Sequence, residues 1–300
     1  MAGNLNRADY DMITYLQMQC LQKDQITLKL ELDYKLADAE NSSYGTDSHD
    51  LNEFMYFNGE QLIGYIGICA FGGPAAPIEI TGMVHPRFRR RGIFMKLYEM
   101  AITECKRRKA SSILALCDQK SVTGQKFLEK IGAVYKYSEF EMFLLDKSWA
   151  INNQSPVGVT LRKATNADAS EVARQNAIYF RDSVENINND ILDQEMLLPE
   201  DEEKRGMTIY LVEKDKQVIG KVHFILENGV GGIYGLGVLP DQRGKGLGRK
   251  ILHLAINKLI EAKTREIMLQ VAAGNTAALS LYKSCGFRET SVMDYFELTL

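Results

Sequence analysis

Residues 238–248, VLPDQRGKGLG, place three glycines and two basic residues between an apolar run and an amphipathic helical pattern. A strand that turns directly into a helix leaves the first N–H groups of that helix without intrahelical partners, and the helix dipole adds positive charge there. Gly244, Gly246 and Gly248 let the backbone approach an anion without interference from Cβ atoms. The segment therefore predicts a strand–loop–helix unit that binds phosphate groups.

An altered copy of this segment occurs in the first half of the chain, at residues 84–94, VHPRFRRRGIF. Pro86 and Pro240 are 154 positions apart, and Gly132 and Gly286 are separated by the same 154 positions. One ungapped separation over a strand, a loop, two helices and the next strand indicates that a whole domain was duplicated. We expect two tandem domains at 1–146 and 157–300, joined by a polar linker at 147–156 that ends in a proline.

The spacing of the loop at 243–248 differs from the G-x-G-x-x-G and G-x-x-x-x-G-K-[ST] phosphate motifs. It resembles the pyrophosphate loop R/Q-x-x-G-x-G/A of the GCN5-related N-acetyltransferase (GNAT) superfamily. Residues 275–287, NTAALSLYKSCGF, are similar to a later helix of that superfamily and the strand that follows it. The tandem arrangement and the closing residues 291–298 also resemble the mycothiol synthases within the superfamily, in which the second domain is the active one.

The resemblance implies an α/β (α+β) fold made of two tandem GNAT-like domains, each with a mixed, mostly antiparallel sheet flanked by helices. In the second half we expect a helix at 244–262, a helix at 275–284, two closing strands, and further strands at 207–213, 217–226, 233–239 and 266–271. In the first half we expect helices at 4–23 and 27–40, a loop rich in turn-forming residues at 41–50, and strands at 53–57, 61–70 and 78–84.

The same resemblance implies acetyl-CoA as acyl donor and a primary amine as acceptor. The residues expected to bind the cofactor lie on the strand, the loop and the later helix: Leu236, Gly237, Val238, Arg243, Gly244, Lys245, Gly246, Leu247, Gly248, Asn275 and Tyr282. Asn275 could also simply cap its helix. Tyr282 is the expected general acid for the departing thiolate, and the alternative is a tyrosine that only packs its ring.

The general base is harder to assign, because residues 231–238 contain none of the carboxylates that superfamily members commonly place there. Glu227, His223 and Tyr234 are the candidates, acting directly or through a water molecule. A single histidine in an apolar strand is more often structural than catalytic. A flap at 179–195 is expected to cover the acceptor, although its acidic residues also fit a solvated helix face.

The first half departs from the superfamily pattern at four positions. Arg90 and Phe94 replace Gly244 and Gly248, while Leu128 and Ser121 stand where Tyr282 and Asn275 would be. Because leucine cannot donate a proton, we expect the chemistry in the C-terminal domain. The N-terminal domain would then be structural, regulatory or acceptor-shaping, with weak cofactor binding as a lesser alternative. The alternative for the whole chain is a non-catalytic acyl-CoA-binding or regulatory module.

The net charge of −3 gives the chain no general attraction to nucleic acid or anionic lipid. Five dispersed cysteines without C-x-x-C spacing indicate neither a disulfide framework nor a metal site. Neither an apolar leader nor a stretch long enough to cross a bilayer is evident. We expect a cytoplasmic monomer or homodimer that acts on a small-molecule or peptide amine, without nucleic acid, membrane or metal partners.

Overall fold

The structure, a computed structural model, describes residues 5–41, 50–70, 77–147, 158–180 and 198–299. These residues form two compact units, one from residues up to Glu139 together with those from Ser291 onward, and one from Phe140 to Thr290. Most of the predicted loop at 41–50, linker at 147–156 and flap at 179–195 lies outside the described residues. The domain limits proposed from the sequence therefore stay a prediction.

Within its described residues, the first unit contains four helices and a sheet. Its elements are α1 (Arg7–Asp24), α2 (Leu32–Asn41), β1 (Glu53–Asn58), β2 (Gln61–Ala70), β3 (Ile78–Val84), α3 (Ile93–Arg107), β4 (Ile113–Asp118), α4 (Val122–Lys130) and the first part of β5 (Val134–Leu144). Strands β1, β2 and β3 pair antiparallel, whereas β3 and β4 run parallel. The predicted helix at 27–40 begins only at Leu32, because the N–H of Thr27 donates to Oδ2 of Asp118 (2.7 Å) and Glu31 has a left-handed backbone (φ 54°).

The second unit repeats this plan with a longer antiparallel meander. Its elements are β6 (Val159–Lys163), α5 (Ala169–Phe180), α6 (Pro199–Lys204), β7 (Met207–Lys214), β8 (Gln217–Glu227), β9 (Val230–Val238), α7 (Leu247–Glu261), β10 (Glu266–Ala272), α8 (Thr276–Ser284) and the start of β11 (Phe287–Glu297). Strands β6 to β9 pair antiparallel, and β9 pairs parallel with β10. The prediction of two closing strands was wrong, because the backbone remains extended through 287–297 without a turn-forming glycine or proline.

The duplication is visible in the backbone itself. Helices α3 and α7 begin and end 154 positions apart, and so do α4 and α8. Gly92 and Gly246 have almost the same left-handed conformation (φ 78° and 71°), as do Arg90 and Gly244 (φ 64° and 75°). Both loops therefore follow one path, although their side chains have diverged.

Helix α7 is fixed to the sheet of the second unit by an apolar stripe with helical spacing. Its fully buried members are Ile251, Leu252, Ala255 and Ile256. Met142 and Leu144 from the end of β5 belong to the same core. This packing holds the N-terminus of α7 at the end of β9, where the glycine loop lies. Over the part of the chain that the structure covers, no helix is long and apolar enough to cross a membrane.

Candidate functional site

The loop between β9 and α7 presents open backbone N–H groups. Gly246 is the N-cap of α7, and the first turn of the helix receives no side-chain cap from it. A Cβ atom placed on Gly244 or Gly246 would meet no atom within 4 Å, so the space above this backbone is free. The arrangement suits an anion, because uncapped N–H groups and the helix dipole act together there.

The two basic residues of the loop fold back onto it. Nε of Arg243 donates to the carbonyl of Val238 at 3.0 Å, and Nζ of Lys245 donates to the carbonyl of Asp241 at 2.9 Å. Among the residues with described positions, no carboxylate forms an ion pair with Arg243. Positive charge is thus held beside the open amides without being neutralised.

The strand that leads into the loop has a free edge. β9 pairs with β10 from Val230 to Ile233 and then continues for five residues to Val238 without a partner on β10 in the described structure. The predicted cofactor residues Leu236, Gly237 and Val238 lie in this stretch, which has no partner on the β10 side. Backbone N–H and C=O groups that lack a partner in the sheet need another hydrogen-bond partner. The gap between β9 and β10 beyond Ile233 therefore suits a ligand with amide groups.

Helix α8 lies against α7 beside the loop. A Cβ atom on Gly248 would lie 3.3 Å from Cδ2 of Leu281, and Arg249 donates to Oγ of Ser284 at 2.8 Å. Oδ1 of Asn275 accepts the N–H of Ala278 at 3.1 Å, so Asn275 does cap α8. Its contact with a cofactor stays a prediction.

Tyr282 is buried on α8 in the core of the second unit, with 7% of its surface exposed. Its ring lies 6.1 Å from that of Phe287, and its hydroxyl makes no hydrogen bond to a residue whose position is described. Burial raises the pKa of Tyr282 to about 12. The side chain is therefore protonated at neutral pH and can act as a proton donor.

The model of the acetyltransferase (GNAT) family matches residues 14–133 and 176–287, which together make up most of the chain. The chain belongs to the GNAT family. The two matched segments lie in the two halves of the chain, as the duplication predicts.

Two relatives of this GNAT protein are mycothiol acetyltransferases. The protein from Renibacterium salmoninarum is 26% identical over 236 residues, covering 75% of this chain and 69% of the relative. The protein from Clavibacter sepedonicus is 27% identical over 225 residues, covering 72% and 71%.

Solved structures share the fold over nearly the whole chain. A GCN5-related N-acetyltransferase from Sphaerobacter thermophilus aligns with a TM-score of 0.72 at 18% identity, covering 99% of this chain and 94% of that one. A tandem GNAT protein from the clavulanic acid biosynthesis pathway, solved without AcCoA, aligns with a TM-score of 0.70 at 15% identity, covering 99% and 96%. The predicted tandem GNAT fold is confirmed.

The three candidates for the general base of this GNAT protein lie at different places. Glu227 pairs with Val230 at the far end of the β8–β9 hairpin, four residues or about 13 Å along the strand from His223. The hydroxyl of Tyr234 donates to Sδ of Met268 at 3.4 Å. His223 is buried, and its pKa is well below the ordinary value because of burial and the nearby Lys221.

Lys221 is a residue that the sequence interpretation missed. It is completely buried on β8, and burial lowers its pKa to about 7. Its Nζ lies 2.9 Å from Nε2 of His223 and 3.4 Å from the carbonyl oxygen of Gly235. The sequence feature that could have indicated Lys221 is its position two residues before His223, which places both side chains on the same face of a mostly apolar strand.

The equivalent loop in the first unit has the same backbone and different chemistry. Nε of Arg89 donates to the carbonyl of Val84 at 2.9 Å, as Arg243 does to Val238, but the Arg89 guanidinium also pairs with the carboxylate of Asp24. The ring of Phe94 packs edge-on against that of Phe127 at 4.7 Å. A cavity of about 400 Å³ lies beside this loop, and both phenylalanines line it. Leu128, at the Tyr282 position, is buried in the core.

Proposed function

We propose that this protein transfers an acetyl group from acetyl-CoA to a primary amine, with the chemistry in the second unit and Tyr282 as general acid. The observation that carries the proposal is that β9 leaves β10 after Ile233 and leads directly into the open glycine loop. Acetyl-CoA, when bound, supplies an activated thioester. The free edge of β9 can pair with the amide-bearing arm of that cofactor, and the uncapped amides of α7 can bind its pyrophosphate. The two sites follow one another along the chain in the same order as the two parts of the cofactor.

Each part of the second unit has a separate task in this proposal. The amides of residues 244–248, with Arg243 and Lys245 beside them, hold the pyrophosphate. The backbone of Leu236, Gly237 and Val238 orients the arm. The protonated hydroxyl of Tyr282 donates to the departing sulfur, a role that its raised pKa preserves up to strongly alkaline pH.

The acceptor is proposed to be a small-molecule amine. The name of the relatives, mycothiol acetyltransferase, supports a small molecule in preference to a peptide. The five free cysteines support a reducing compartment such as the cytoplasm.

The cavity beside the loop of the first unit favours a second candidate function, non-catalytic binding of an acyl-CoA there. The cavity is lined by Gly82 and Val84 of β3, by the loop and by α4. The Arg89–Asp24 ion pair opposes this function, because it neutralises the cation that would meet a phosphate.

The test is to measure thiol release from acetyl-CoA with a panel of amines, for the wild type and for Tyr282→Phe. We expect turnover in the wild type and a loss of about 100-fold or more in kcat for the variant, with CoA affinity retained. Tight CoA binding without turnover of any amine would favour the non-catalytic function. Equal kcat for the two proteins would remove Tyr282 as the acid.

A further inference from the structure

A lysine and a histidine lie together inside the second unit, beside an irregularity in the strand that carries the proposed cofactor site. Lys221 lies opposite Gly237, and His223 lies opposite Tyr234. Two steps along β8 thus correspond to three along β9, so β9 contains a bulge. Gly235, in the bulge, has a left-handed backbone (φ 54°).

The side chains of Lys221 and His223 both lie against Gly235 in the bulge. A Cβ atom on Gly235 would lie 3.1 Å from Nζ of Lys221 and 3.2 Å from Nδ1 of His223. Nζ itself approaches the carbonyl oxygen of Gly235 (3.4 Å). Nζ of Lys221 therefore lies at Gly235, one residue before the proposed cofactor residues that begin at Leu236.

Among the residues that the structure describes, the neighbours of the pair on β7 and β9 are uncharged. On β7 the residues opposite Lys221 and His223 are Leu211 and Ile209, both buried. Helix α5 places the ring of Tyr179 beneath Nζ, 5.6 Å away, and β9 contributes Tyr234.

Charged groups on α5 are engaged with each other, since Glu171 and Arg174 form an ion pair of 2.7 Å. Because Lys221 is completely buried, its amine is costly to protonate and is poised to take up a proton that chemistry releases.

We propose that Lys221 is the general base of the acetyl transfer and that His223 is the positioning residue that holds its amino group at the bulge. This inference rests on the proposed function. As the amine nitrogen bonds to the acetyl carbon, the C–S bond breaks. The nitrogen loses a proton to Nζ of Lys221, and the sulfur gains one from the hydroxyl of Tyr282. Solvent then takes the proton from Lys221 and returns one to Tyr282.

Residues 231–238 of β9 contain no carboxylate that could act as the base. Lys221 and His223 supply a basic group beside that strand instead. Between the two, Lys221 is the better acceptor, because burial and Lys221 itself hold the pKa of His223 far below neutrality, while that of Lys221 is about 7. The imidazole can accept an N–H of the charged amine or donate to its neutral form, so it fixes Nζ in both states.

The first experiment compares the pH dependence of kcat/KM for the wild type, Lys221→Met and the control Lys214→Met, which removes an exposed lysine from the neighbouring strand. We expect an acid limb near pH 7 in the wild type and the control. Lys221→Met is expected to lose about 100-fold or more in kcat, together with that limb, while its CoA affinity is kept.

The second experiment observes the ionisation directly in the unliganded protein. Lysine Cε is labelled with ¹³C, and the resonance of Lys221 is identified as the one absent from Lys221→Met. We expect its titration midpoint near pH 7, and a midpoint above about 9 would overturn the proposal.

The role of His223 is tested with two variants. His223→Gln keeps a hydrogen-bond acceptor on the side chain, whereas His223→Leu does not. We expect Gln to retain more of kcat than Leu, and the acid limb of the Leu variant to move to lower pH, because the charged amine has lost a partner. Equal effects of the two variants on kcat and on the limb would overturn the positioning role.

The outcomes separate this inference from the proposed function. Turnover in Lys221→Met within about threefold of the wild type, with the same acid limb, would overturn the role of Lys221 and leave acetyl transfer intact. Absence of turnover with every amine in the wild type would overturn both.

Discussion

Arg89 and Arg243 make the same hydrogen bond to the strand that precedes each of them, yet they differ in the charge that they offer a ligand. The guanidinium of Arg89 is neutralised by Asp24, whereas no described carboxylate pairs with Arg243. The sequence indicated that the first loop had lost glycines. It gave no sign of this ion pair, because Asp24 lies at the end of α1, 65 positions from Arg89. Residue types can be matched by spacing, but their neutralisation depends on contacts between distant segments.

The buried charge of Lys221 makes a prediction about stability. In the folded protein its pKa is about 7, against an ordinary value of 10.5, so between these values the unfolded chain binds more protons and stability rises with pH. Below about pH 7 the folded protein bears the full cost of burying the ammonium group, and above 10.5 it bears none. We expect Lys221→Met to be more stable than the wild type, with a gain in free energy of unfolding that is about 3 kcal/mol larger at about pH 6.5 than at about pH 9.5.

Urea unfolding at the two pH values measures this difference, and Lys214→Met again serves as the control. That exposed lysine should show the same small effect at both pH values. A gain for Lys221→Met that does not change with pH would mean that Lys221 titrates normally in the folded protein.

At the scale of elements, the strand–loop–helix unit was largely predictable because it depends on local rules. The glycines determine the turn, the apolar spacing determines α7, and the observed helix lies within the predicted 244–262. The segment before α2 was not predictable in the same way. Its helical pattern extended back to 27, but the hydrogen bond from Thr27 to Asp118 holds it in another conformation, and that partner is 91 positions away.

The two loops provide a matched pair of substitutions for the proposed cofactor site. Gly246→Val and Gly92→Val each place a β-branched side chain on a left-handed backbone, at a cost of about 1–3 kcal/mol, and neither Cβ meets a neighbour within 4 Å. We expect Gly246→Val to weaken CoA binding by about 10-fold or more and to abolish turnover. Gly92→Val should lose similar stability and keep turnover.

Calorimetry with CoA and the thiol-release assay distinguish the two variants. Unchanged CoA affinity in Gly246→Val would contradict the assignment of the loop. Loss of turnover in Gly92→Val, with stability matched to Gly246→Val, would instead place part of the chemistry in the first unit.

At the scale of the whole molecule, the first unit is completed by the C-terminal end of the chain. Met293–Glu297 pair antiparallel with β4, and Met293 and Tyr295 pack with Leu114 and Leu116 in one apolar cluster. Lys29 also donates to the hydroxyl of Tyr295 at 2.8 Å. The stability of this unit therefore depends on residues that are far away in sequence.

A chain that ends at Thr290 is expected to lose most of the stability of the first unit. Deletion removes the partner strand of β4 and several large buried side chains, each worth about 2–5 kcal/mol, which together approach the whole stability of a domain. Hydrogen exchange at the amides of β4 and thermal unfolding measure the effect. A chain that ends at Leu298 keeps these contacts and should behave like the wild type. Full protection of β4 in the shorter chain would show that the last strand is dispensable.

The sequence was sufficient for the glycine loop and for the placement of Tyr282 on a helix, because turns and helix starts depend on neighbouring residues. It was also sufficient for the duplicated plan, because the same residue types recur 154 positions apart. Tertiary structure decided the rest. It buried Lys221 against His223 and the bulge at Gly235, and it neutralised Arg89 with Asp24. Each of these features depends on which distant segments meet, since burial and pairing set the charge and the conformation of a residue there.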